Sequence, residues 1–446
     1  MSSAATLVRL SRESLSALER VWTQIWFRPS LTTPLEIVRI GVGSAVLFHY
    51  AMATPYLFMF WGDTDWMPRE AALQYLDGLW MQSVFLYFTA PWQWVAFHAL
   101  LLFCGAAFVM GWRTSWVKWV VLIGQISYDY RNITLSYGAQ SIAACLLFIL
   151  CLAPVGRAIS LDRVRAVRAA KRKNLEATVP PHTSAWAGAC TRLVQVQMVV
   201  LFLYSGIEKV RGDEWWNGDA IWWAFTTNEF YNDSLLWALA HQYWIVTLAT
   251  YGTILIEIAY AFLIWPRRTR PYLLVAAVLL HLSFMFLLGL VYFSFIMIAG
   301  HMSFLRAEWL ARLGVWWKRK IGEMEMIYDG RCGFCVRSMA WLLAFDGLRQ
   351  ISIRDFRASP SPVVSDAQLE KALYLVLPDG RALPGFEAYR YVTLRVPGLW
   401  WQVPFFYVPM FSRLFGHPIY NWIAANRGRL SNLRLRRLAA LSRTRS

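Results

Sequence analysis

The sequence predicts a polytopic α-helical membrane bundle of about eight spans, followed by a small C-terminal α/β domain. Three observations carry that expectation. Residues of the AVILMFWYC set make up 57% of the 446 positions while charged residues make up 16%, against about 25% in an average soluble domain. The mean hydropathy is +0.38, too apolar for a water-facing surface of this size. The 25 tryptophans are a residue type that collects at bilayer interfaces. Disordered, collagen-like and disulfide-scaffold classes are excluded by the same arithmetic. The net charge of +17 is compatible with a nucleic-acid partner only if the cations share one face.

Along the chain, residues 1–33 form an amphipathic N-terminal segment, with Leu7, Leu15, Leu18, Trp22 and Ile25 at helical spacing among Arg9, Arg12, Arg20 and Arg28, suited to an interface. Spans are expected at 35–54, 91–111, 115–128, 139–155, 186–206, 235–265, 271–289 and 291–305, the third and last being short. A membrane domain thus covers 34–310, interrupted by a basic cytoplasmic linker at 156–185.

Loop charge orients the spans. With the N-terminus inside, the inner segments hold Arg113, Lys118, the cluster from Arg157 to Lys173, Arg267, Arg268, Arg270, Arg306 and Arg312. The outer loops hold Asp63, Asp65, Glu70, Asp77, Asp129, Arg131 and the stretch from Lys209 to Asp233. Alternate loops obey the positive-inside rule, so both termini are expected in the cytoplasm of a multi-pass protein. The cations track loops rather than one face, which argues against nucleic acid and for anionic lipid head groups as partners.

After residue 320 the pattern changes. Strands are expected at Met324–Tyr328 and Gln350–Phe356, helices at Cys335–Phe345 and Asp366–Lys371, and a third strand at Leu373–Leu377 running into a hairpin at Asp379-Gly380. Residues 398–416 are apolar, but Pro404, Pro409, Gln402 and Arg413 make them domain core or membrane-proximal packing rather than a ninth span. A basic tail occupies 431–446.

Four of the six cysteines (Cys104, Cys145, Cys151, Cys190) fall singly in spans, where a small apolar residue explains them. Cys332 and Cys335 differ, because C-x-x-C between a strand and a helix places Cys332 where the helix N-terminus stabilises a thiolate. Cys335, one turn on, can resolve a mixed disulfide. Structural zinc would need two further ligands, and no second C-x-x-C or H-x-H pair exists after residue 320, so no metal is assigned.

Asp329, Cys332 and Cys335, the hairpin Asp379-Gly380 and the run Tyr420-Asn421-Trp422-Ile423-Ala424-Ala425-Asn426-Arg427 resemble the DCC family of thiol-disulfide oxidoreductases. The resemblance spans 322–430 and implies a thioredoxin-like fold. It also implies Cys332 as nucleophile, Cys335 as resolving thiol and Asp329 as proton acceptor. Where thioredoxins carry a cis-proline, this chain has Lys371-Ala372-Leu373.

In the membrane half, Lys209 ends the fifth span, where a lysine snorkels to the interface or, once deprotonated, serves as a base. Glu257 and His281 lie within spans, and ionisable groups at that depth are functional or network candidates; a neutral hydrogen-bonded histidine is the alternative for His281. Together with Arg39-Ile40-Gly41, Phe60-Trp61-Gly62-Asp63, Gly206-Ile207-Glu208-Lys209 and Trp215-Trp216-Asn217-Gly218, they resemble the HTTM domain of vitamin K-dependent gamma-carboxylase and its bacterial relatives. The resemblance implies Lys209 as general base and Glu257, His281 and Trp215 at a substrate or cofactor site. Ile133 stands where the carboxylase has a histidine, so glutamate carboxylation is not expected. The leading expectation is a bacterial inner-membrane redox protein with a quinone as candidate cofactor and a quinone or thiol redox partner. The alternatives are a membrane-embedded carboxylase or lyase using Lys209, and a non-catalytic lipid-binding scaffold.

Overall fold

The computed structural model describes residues 16–64, 68–78, 82–227, 235–427 and 429. The expectations on Leu7, Arg9, Arg12, Leu15, Asp65, Asp233 and the 431–446 tail lie outside these residues. The chain divides into two units: residues 1–162 with 181–307, and residues 163–180 with 308–446.

Eight helices of the first unit fall where spans are expected: α1 (Thr33–Ala53), α2 (Pro91–Met110), α3 (Thr114–Arg131), α4 (Gly138–Leu152), α5 (Ala185–Val210), α6 (Tyr243–Leu263), α7 (Arg270–Leu287) and α8 (Val291–His301). Among the described residues, five segments are long and apolar enough to cross a bilayer; they comprise α2, α5, α6, α7 and the run Thr33–Trp61 that contains α1. α4 and α8 are too short, and α3 carries Lys118, Asp129 and Arg131 within 18 residues. Large apolar side chains such as Phe103, Leu255, Leu279 and Phe286 face outward, as lipid-facing positions do. This unit makes the chain a membrane protein.

The sixth expected span, 235–265, is two helices. Leu235–Ala240 stops, and α6 begins after Gln242, whose φ of −97° and ψ of 86° leave the helical region. Apolarity runs through both pieces, which is why the break is invisible to hydropathy.

The bundle is tied by buried polar groups. α1 packs on α2 and α8, and Arg39 on α1 bonds Glu36 through Nε at 2.8 Å and the carbonyls of Val109 and Ile159 at 2.9 and 2.6 Å. Glu36 in turn accepts the backbone N–H of Arg157 at 2.7 Å and of Ala158 at 3.2 Å. A fully buried ion pair of this kind is tolerated because its remaining donors and acceptors are also satisfied.

The second unit holds a four-stranded sheet ordered β2-β1-β3-β4, with β1 Met324–Tyr328, β2 Ile351–Asp355, β3 Tyr374–Val376 and β4 Ala382–Pro384. β1 runs parallel to β2 and antiparallel to β3, and β3 and β4 form the expected hairpin, with Gly380 at φ +83° in its turn. Strand alternation puts Met324, Met326 and Tyr328 in one core with Met339 and Leu342 of α10 (Gly333–Phe345) and Ala388 and Val392 of α11 (Gly385–Arg395). Ile327 points the other way, onto Phe356, Val364 and Leu369. α9 (Ala307–Ile321) lies almost wholly in this unit.

By its contacts the second unit takes in residues 163–180 as well as everything from 308, and Leu175 lies against the core built by β1 and α10.

Candidate redox site

The dithiol sits at the C-terminal ends of parallel strands, the usual position for a site in such a sheet. The β1–β2 register aligns Tyr328 with Asp355. The Asp355 carboxylate therefore reaches the loop after β1 and accepts the Gly330 N–H at 2.9 Å and the Arg357 N–H at 3.0 Å. Gly330 has no room for a Cβ, which would collide with that carboxylate. The loop is thereby held in one path from Tyr328 to Cys332.

Cys332 is the N-cap of α10, two residues earlier than the expected helix start would allow. Its Sγ accepts the backbone N–H of Cys335 at 3.3 Å. A sulfur at this position faces the positive end of the helix. Both cysteines are free, Cys332 buried and Cys335 partly so. Burial, followed by the hydrogen bond and charge of Cys332, pushes the Cys335 thiol far above its ordinary range. The two sulfurs are thus chemically unequal, with Cys335 held as a thiol.

Asp329 accepts the Arg331 N–H at 3.0 Å and lies 3.5 Å from Arg357, which also pairs with Glu370 at 3.1 Å. Asp329 and Cys335 line one cavity of about 1250 Å³. No cis peptide bond occurs among the described residues, so the segment Lys371-Ala372-Leu373 is trans throughout. Among these residues no group of three His, Cys, Asp or Glu side chains could hold a metal ion.

In the first unit, Lys209 Nζ lies 3.0 Å from Glu257 Oε2, donates to Ser205 Oγ at 2.5 Å and sits 5.3 Å from the Trp215 ring centre. Gly206 makes this approach of α5 and α6 practicable, since a Cβ there would meet Ile258 Cγ1 at 2.9 Å. The amine thus has a carboxylate, a hydroxyl and an indole face as its neighbours. The His281 ring stacks 5.3 Å from that of His301, whose Nδ1 is 2.8 Å from Tyr260 Oη. Neither His281 nitrogen has a hydrogen-bond partner among the described residues.

Sequence reasoning missed a further buried polar cluster. His98 joins Tyr128 Oη at 2.5 Å and Thr54 at 2.9 Å, Trp61 donates to the Tyr128 carbonyl, and His49 packs among Trp61, Tyr128 and Tyr292. His49 and His98 within apolar spans were the available signal.

Comparison with known families decides what this pair of units is. Residues 27–309 match the HTTM domain, well over half of the chain. The chain belongs to the HTTM domain family. Residues 326–433 match the DCC1-like thiol-disulfide oxidoreductase family, so the HTTM domain is followed by a DCC1-like domain. The chain is 26% identical over 215 residues to "Uncharacterized protein YitO" of Bacillus subtilis (strain 168), a match covering 46% of this chain and 63% of that relative's length. No solved structure matches.

Proposed function

We propose that the chain is a bacterial inner-membrane dithiol–disulfide oxidoreductase in which the HTTM unit is the membrane body and Cys332 and Cys335 are the reacting groups. The observation that carries this reading is the asymmetric pair itself, Cys332 capping α10 and accepting the Cys335 N–H while Cys335 stays protonated. The sheet order β2-β1-β3-β4, with a βαβ half and a ββα half, supports a thioredoxin-like fold for this unit. The Cys332 thiolate attacks one sulfur of a substrate disulfide and expels the other as thiolate. Cys335 then loses its proton, with Asp329 as the nearby acceptor, and attacks the Cys332 sulfur, leaving an intramolecular disulfide and a reduced substrate.

Full-length protein in detergent, equilibrated with glutathione buffers and tagged at its thiols, should titrate as one two-electron couple. Cys335→Ser should accumulate a mixed disulfide through Cys332, and Cys332→Ser should accumulate none. If redox-dependent mobility survives Cys332→Ser unaltered, the dithiol reading is wrong. Both termini and the DCC1-like unit are assigned to the cytoplasm from loop charge, and a periplasmic C-terminus in reporter fusions would overturn that layout.

A second reading rests on the Lys209–Glu257 pair, with Lys209 as base toward a lipid or quinone bound by the HTTM unit near Glu257, His281 and Trp215. The ion pair with Glu257 weighs against it unless substrate displaces that carboxylate. A lipid-binding scaffold without catalysis is favoured if changes at Lys209 and at Cys332 are both without phenotype.

A further inference from the structure

The cavity beside Cys335 has features that the exchange of thiols between proteins does not use. Its volume of about 1250 Å³ exceeds the roughly 300–1,000 Å³ of ordinary small-molecule sites. Its walls are mainly aromatic and aliphatic, among them Phe334, Phe386 and Tyr389. Phe405, Phe411, Phe415 and Ile419 line it as well, and these four are 39–54% exposed. The exposed part of the lining is therefore apolar apart from Arg172. An apolar mouth disfavours a ligand arriving from water, and a chain that carries membrane spans has a bilayer as its other source of ligand.

Two observations narrow the ligand. The backbone at Leu373, in the cavity wall, is already paired: its N–H goes to Tyr420 Oη at 3.3 Å and its C=O accepts the Gly385 N–H at 2.9 Å. An extended peptide recognised by strand pairing would need such groups free. Arg168, from the inserted 163–180 segment, also lines the cavity, and its buried Nε has no hydrogen-bond partner among the described residues. A buried donor without a partner calls for an acceptor that the protein does not supply.

We propose that this cavity binds a lipid-soluble quinone, drawn from the bilayer, as the two-electron acceptor of the Cys332–Cys335 pair. The ring lies at the Cys335 end among aromatic faces, the apolar tail runs toward Phe411 and Phe415, and a ring carbonyl is the acceptor for Arg168. Two S–H bonds break and one S–S bond forms. The two electrons and two protons pass to the two quinone oxygens, giving the hydroquinone. This inference rests on the dithiol reading above and assigns the ligand to the C-terminal unit, independently of anything the HTTM unit holds.

The test uses reduced full-length protein in detergent and a decyl-substituted benzoquinone whose ring positions are all filled, so that thiols cannot add to the ring. Hydroquinone formation is followed by absorbance, and the state of each cysteine by mass spectrometry. One hydroquinone per Cys332–Cys335 disulfide is expected. Phe415→Glu and Ile419→Glu, checked by size-exclusion profile to fold as the parent does, should raise KM for the quinone by roughly tenfold or more, because each puts a carboxylate in the apolar mouth. The proposal is overturned if the quinone is reduced equally well by both variants. It also fails if glutathione disulfide oxidises the pair and the quinone does not, or if a copurified fatty acid or phospholipid fills the cavity and quinone cannot displace it. If neither oxidant forms the disulfide, the dithiol reading itself fails.

Discussion

The Lys209–Glu257 pair offers a quantitative test of whether the HTTM unit keeps this lysine for structure or for chemistry. At 3.0 Å and an effective dielectric of about 20, two unit charges attract by about 5–6 kcal/mol. Desolvation offsets part of this. The Lys209 side chain is 20% exposed and that of Glu257 8%, so Lys209 relaxes toward the interface more easily when its partner is removed. Glu257→Gln should therefore destabilise the bundle by about 2–3 kcal/mol, and Lys209→Met, which strands the more buried carboxylate, by about 3–4 kcal/mol. The double variant should cost at least about 2 kcal/mol less than the two single costs added together. The measurement is unfolding of the full chain in mixed detergent and dodecyl sulfate, followed by tryptophan fluorescence. Additivity within about 0.5 kcal/mol would refute the pairing. A double variant that is stable and still exchanges thiols would place the pair outside the redox chemistry.

Two further outcomes concern the C-terminal unit. Cys332→Ser removes the neighbouring charge that adds to burial in holding the Cys335 proton, so alkylation of Cys335 at mildly alkaline pH should become faster than in the reduced parent; an unchanged or slower rate would contradict the coupling. Asp346 is buried and accepts the Ile351 N–H at 2.8 Å, and burial raises its carboxyl above the ordinary 3.8 despite that bond. With the folded value the higher one, folding takes up a proton. The contribution of Asp346 to stability rises as pH falls through the folded value and levels off below the unfolded one. Asp346→Asn should flatten that part of the pH–stability curve, measured by denaturation across mildly acid pH.

Elements with a single strong period were legible in the sequence. Met324–Tyr328, the C-x-x-C turn and the Asp379-Gly380 hairpin lie where alternation and turn chemistry place them, because local preference and tertiary packing agree there. The gap at His241-Gln242 was not legible, since hydropathy averages over a backbone break that costs no apolar residue. The pairing of Lys209 with Glu257 depends on a close helix crossing at Gly206, and spacing along one chain says nothing about a neighbour 48 positions away (257 − 209). The cavity beside Cys335 was hidden because its walls come from several short turns between 402 and 424, none with a period of its own.

The chain enters its C-terminal unit twice, at 163–180 and again from 308. Leu175 closes part of that unit's core, and Arg168 and Arg172 complete its cavity. A gene fragment starting at residue 308 would thus encode a sheet without part of its core and a cavity without two of its cations. The same holds in reverse, since deleting everything after 307 leaves the inserted segment with an apolar side chain and no surface to cover it. The oxidoreductase domain is consequently not a detachable passenger: gain or loss of this module by a simple end-to-end gene fusion requires a second, internal change in the membrane domain's loop.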